Sequence, residues 1–105
     1  MRRGSTPTNT FNCNVDLAGA TLFVTYSQGG ANLVEKTGDD LTIVSTQSGC
    51  TVTVRLSQAE TLKFKTGQVM IQIRYVMPDG SADASNIIQT TAERILKDGV
   101  IEYAV

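Results

Sequence analysis

The sequence predicts an all-β fold, an immunoglobulin-like antiparallel β-sandwich of about seven strands with a short helical turn between the fifth and sixth. Three observations predict it. Apolar residues fall at every second position in run after run, the signature of strands with one face in a core. Turn residues separate these runs at spacings of about 8–12 residues, as in a sandwich of short strands. The composition, 41% hydrophobic and 18% charged with 9 Gly and 2 Pro, is that of a globular chain, rich in the Thr, Val and Ile that suit strands. The 105 residues suffice for one core and not for two.

Taken in order, residues 1–7 (MRRGSTP) lack periodicity and read as an extended arm. Residues 8–91 hold the sandwich, and 92–105 form a docking tail. Thr8 to Val15 is the first strand, with Phe11, Cys13 and Val15 on one face. In the second, Thr21 to Gln28, Leu22, Val24 and Tyr26 share the core face, and Phe23 breaks the pattern. An exposed Phe on a strand is what an interface or an edge cover looks like. Asn32 to Lys36 is the third strand, Thr37 to Asp40 a turn, and Leu41 to Thr46 and Cys50 to Leu56 a hairpin reversing at Gln47-Ser48-Gly49.

Ser57-Gln58-Ala59-Glu60 is a capping box, in which Ser and Glu satisfy each other's backbone N–H groups, so it predicts a helical turn over 58–63. Leu62 and Phe64 then plug the end of the core. The clearest strand begins at Gln68: Val69, Ile71, Ile73 and Tyr75 alternate with Gln68, Gln72 and Arg74. Pro78 presets φ and Asp79-Gly80 tolerates positive φ, so the chain reverses there. Ala82 to Thr91 returns with adjacent Ile87 and Ile88, one of them exposed or the strand bulged. Ala92 to Lys97 is read as a helical turn. Val100, Ile101, Tyr103 and Val105 make the tail apolar enough to dock on its own domain or on a partner.

Catalytic chemistry finds little support. The chain has no His, which removes the usual base near neutral pH and the usual nitrogen ligand for a metal. Lys36, Lys63, Lys65 and Lys97 read as solvated, and Asp39, Asp40, Asp79, Asp83 and Glu93 occupy turns and element ends, where Asp is favoured for local bonding. Asp79 to Asp83 lacks the ligand series of a calcium loop, and Gly29-Gly30 lacks the Lys and helix of a phosphate loop. No cofactor or metal is expected, and no enzyme. A net charge of −1 without long like-charge runs argues against nucleic acid as a partner. No apolar run approaches a membrane span, and Arg2-Arg3 is not followed by a signal-peptide core, so the chain is read as made in a cytoplasm.

Cys13 and Cys50 share the parity of core residues and read as buried small hydrophobes. The predicted topology places a strand between theirs, beyond disulfide reach. Gln58, Gln68, Gln72 and Gln89 lie on wet faces, read as solvated or as packed on another subunit.

Residues 2–11 (RRGSTPTNTF), 25–28 (TYSQ), 34–43 (VEKTGDDLTI), 54–64 (VRLSQAETLKF), 68–88 (QVMIQIRYVMPDGSADASNII) and 95–101 (ILKDGVI) together resemble small structural proteins of tailed bacteriophages and prophages of gut Firmicutes. More broadly, the chain is similar to the immunoglobulin-like N-terminal domain of phage baseplate upper proteins. The resemblance implies a non-enzymatic virion subunit, a tail or baseplate accessory or a head decoration protein, made in the host bacterial cytoplasm. Its partners would be other virion proteins or further copies of itself. Arg2, Arg3 and Pro7 would anchor on a neighbouring subunit, with Phe23, Ile101 and Tyr103 as apolar contacts. The alternative is a sandwich module that binds carbohydrate or a host surface through its turns.

Overall fold

The computed structural model describes residues 1–103; Val105, counted above in the apolar tail, lies outside them. Strands β1 (Thr8–Cys13), β2 (Thr21–Gln28), β3 (Ala31–Thr37), β4 (Leu41–Thr46) and β5 (Gly49–Arg55) precede helix α1 (Gln58–Thr61). Strands β6 (Gly67–Val76), β7 (Ala82–Ala84) and β8 (Ile88–Ala92) follow it. They form two antiparallel sheets, one in the order β1-β5-β4 and one in the order β3-β2-β6, where β6 pairs in succession with β7 and β8. The hairpins β2–β3, β4–β5 and β6–β7 each stay within a sheet, while the intervening connections cross between sheets, which is the Greek-key logic of an immunoglobulin-like sandwich.

The alternation read from the sequence is what closes the core. Leu22, Val24 and Tyr26 of β2, Val52 and Val54 of β5, and Val69, Ile71 and Ile73 of β6 are all buried between the sheets. Burying each such side chain contributes about 1.5–3 kcal/mol. The capping box forms: Ser57 Oγ accepts from the Glu60 N–H at 3.2 Å and Glu60 Oε1 from the Ser57 N–H at 2.8 Å. The chain behind α1 then drops Phe64 into the end of the sandwich, where its ring meets that of Tyr26 at 6.3 Å.

β7 and β8 are one return strand interrupted by a bulge. Between the pairs Arg74↔Ala84 and Ile71↔Ile88, β6 advances three residues and the returning chain four, so one residue is extra. Ser85 fills the irregularity: its N–H donates to the Ile73 carbonyl at 2.8 Å and its hydroxyl accepts from the Ile73 N–H at 3.0 Å.

Four local expectations are corrected. β1 stops at Cys13, and Val15 is exposed, because Asp16 Oδ1 accepts from the Ala18 N–H at 3.0 Å and from Ser45 Oγ at 3.1 Å, turning the chain so that Leu17 is the residue buried. The helical turn over 92–97 does not form. Ala92 ends β8 fully buried, and the Glu93 N–H donates to the Met1 carbonyl at 2.7 Å while its carbonyl accepts from the Arg3 N–H at 3.1 Å, which commits this backbone to strand-like pairing. Lys36 is not solvated: its Nζ lies 2.7 Å from Glu60 Oε2 in an ion pair that both side chains largely shield from water. Finally, no strand separates Cys13 from Cys50. β2 belongs to the opposite sheet, so β1 pairs directly with β5 and the two cysteines face each other in register.

Candidate interaction surface

The six residues singled out from the sequence fall in two places. Arg2, Arg3, Pro7 and Ile101 gather near α1. The first residues lie along their own domain: Arg2 bridges Glu93 as a parallel partner and pairs with its carboxylate at 3.4 Å. Arg3 is the more deeply engaged, its Nε donating to the Phe64 carbonyl, its Nη2 to the Leu62 carbonyl at 3.2 Å, and the guanidinium lying 3.5 Å from Asp98. Leu62 is the C-cap residue of α1 and Phe64 lies beyond it, so Arg3 ties the first residues to the segment that leaves the helix. The Pro7 carbonyl accepts from the Leu56 N–H at 3.0 Å, extending the β1–β5 ladder by one pair.

Ile101 is held by its backbone. The Gln58 side-chain amide donates to the Ile101 carbonyl at 3.0 Å and accepts from its N–H at 2.9 Å, a two-bond clamp resembling one rung of a β-ladder. The Gly99 N–H, chiefly, and the Arg3 charge hold the Asp98 carboxyl below its ordinary pKa. The tail is thus tethered through polar groups while Leu96 and Tyr103 face solvent, at 92% and 90% exposure.

Phe23 stands apart, on the outer face of the larger sheet, between Thr37 of β3 and Arg74 of β6. With Met70 and Ile87 it lines a shallow groove of about 530 Å³, whose polar margin includes Glu35, Gln72 and Arg74. Gln72 Nε2 donates to the Ser85 carbonyl at 2.9 Å and Gln68 Nε2 to Gln89 Oε1 at 2.7 Å, which fixes three glutamines of the wet face within the sheet. Met70 and Ile87 were missed by sequence reasoning, although both left a signal. Met70 has the parity of Gln68 and Gln72, and one of two adjacent isoleucines must point outward.

Among the described residues no group of three or more His, Cys, Asp or Glu side chains is placed to hold a metal ion, and no buried side-chain polar atom lacks a partner. Tyr26 is the most shifted hydroxyl: burial pushes it up to about 12, against the hydrogen bond from Asn9 Nδ2 at 2.8 Å and with the nearby Glu60 charge. It stays protonated and ties β1 to β2 across the core, a structural post. Among the described residues no helix is long and apolar enough to cross a membrane. Comparisons with protein-family models, with curated proteins and with solved structures found no match.

Proposed function

We propose that the chain is a non-enzymatic structural subunit of a phage or prophage virion, acting through protein–protein contacts, and that the outer face of the larger sheet packs against a second copy of the chain. The virion assignment rests on the sequence resemblance. The contact face rests on one observation: Phe23, Met70 and Ile87 meet on a pleated surface bordered by Glu35 and Arg74. An apolar patch with a polar rim is how subunit interfaces are built. Carrying both an acid and a base on that rim suits a self-complementary contact, in which Glu35 of one copy meets Arg74 of the other about a twofold axis.

Light scattering across a range of concentrations tests this. The expected result is a defined oligomer whose mass falls to that of the monomer in Met70→Glu, with the circular-dichroism spectrum of the folded chain retained because Met70 is 41% exposed and outside the core. A monomer at every concentration, or an oligomer indifferent to Met70→Glu, would overturn the assigned contact.

A further inference from the structure

We propose that Cys13 and Cys50 form an intramolecular disulfide, stabilising the fold, when the chain meets a small-molecule disulfide such as oxidised glutathione. Both are thiols, directly opposed in the β1–β5 register and on the inner face of the sheet. The Leu56 N–H donates to the Pro7 carbonyl, and counting along the ladder by twos makes Cys13–Cys50 a hydrogen-bonded pair as well. Such pairs have Cα atoms about 5.5 Å apart, within the span a disulfide bridges, and their Cβ atoms, about 5.5 Å apart, draw together by about 1 Å as the bond closes. Gly49 permits this closeness, since a Cβ there would lie 2.0 Å from the Cys13 carbonyl oxygen.

The two thiols differ in access. Cys50 is 1% exposed, whereas Cys13 borders a cleft of about 730 Å³ between the free edge of β1 and the β7–β8 edge. The order of events follows. The Cys13 thiolate attacks one sulfur of the glutathione disulfide, forming a mixed disulfide and expelling one glutathione thiolate. The Cys50 sulfur, after losing its proton, attacks Cys13 Sγ, closes the protein disulfide and expels the second glutathione. Two protein thiols lose two electrons and two protons, and one glutathione disulfide becomes two glutathione thiols. The bridge ties together a loop containing β2, β3 and β4 and thus elements of both sheets. A reducing cytoplasm would keep the pair open, and an oxidising exterior would close it.

The test is to hold the full-length reduced protein in glutathione buffers of increasing oxidised fraction, block remaining thiols, and read intact mass and melting temperature. The expected product has lost two hydrogens, takes up no blocking agent and melts roughly 10 °C or more higher. Cys50→Ser should stop at one stable glutathione adduct on Cys13, and Cys13→Ser should take up none while folded. Two free thiols at the most oxidising poise, a persistent mixed disulfide in the natural sequence, or an oxidised form that melts lower would each overturn the proposal.

Discussion

The two ends of the sandwich are built differently. At the end where β1 and β6 begin, α1, the first residues and the start of the tail close over the core. Phe64 fills the middle, Thr61 is fully buried with its hydroxyl donating to the Ser5 carbonyl at 2.8 Å, and Arg3 donates to the carbonyls of Leu62 and Phe64. At the other end, where β1 stops at Cys13 and β6 runs on to Val76, turns do the closing and a cleft is left between the two sheets. One end is sealed by burial and by side chains reaching backbone groups. The other depends on how closely two backbones approach at Gly49. The difference teaches where each kind of damage should fall.

Phe64→Ala should have the largest effect. The ring is 1% exposed and packs on Tyr26, so the loss is about 4 kcal/mol, transfer and cavity together. For a domain of this size that is near half of the total stability. Chemical denaturation should show the loss as a lower midpoint at unchanged slope. A cost below about 1.5 kcal/mol would mean that the sealed end is held by its polar ties and not by its plug.

Gly49→Ala should come next, at about 3 kcal/mol. Its φ of +153° already disfavours a side chain, and the new Cβ would fall on the Cys13 carbonyl oxygen, which is backbone and cannot swing aside. Gly80→Ala is the matched control: φ is +89° but nothing lies within 4 Å of the added atom, so only the conformational penalty of about 1 kcal/mol remains. Thermal melts of the two variants side by side separate steric closure at the open end from glycine's general freedom. Equal losses would show that the approach of β1 to β5 there contributes nothing.

The contrast between the ends also marks what could be read in advance. Period-two alternation made β2, β5 and β6 legible, and Ser57 with Glu60 made α1 legible, because both signals are local. The plug at Phe64 followed from them. The neighbours of β1 were not legible, since strand order is decided by which sheet each crossing reaches; one misplaced strand separated Cys13 from Cys50 on paper. Lys36 looked solvated because it lies in the polar run Glu35 to Asp40, yet β2 pairing sets it beside Val24 on the inner face. Of the proposed contact surface, Phe23 announced itself by breaking a pattern, whereas Met70 was masked by the polar residues around it.

Lys36 gives the finest probe of the sealed end. Partial burial pushes the Glu60 carboxyl up, but the Lys36 ammonium and the two Ser57 hydrogen bonds outweigh it and hold the carboxyl below its ordinary pKa. A carboxyl depressed by folding adds stability that is complete above its unfolded pKa and disappears as pH falls through the folded value. Lys36→Met keeps the length of the stem and removes the charge. It should therefore cost about 1 kcal/mol at neutral pH, with the difference from the natural sequence shrinking as Glu60 becomes protonated in both. Melting temperatures collected between neutral pH and mildly acid pH measure that convergence. Parallel curves would show that the Lys36–Glu60 ion pair does not account for the loss, and the sealed end would then be held without it.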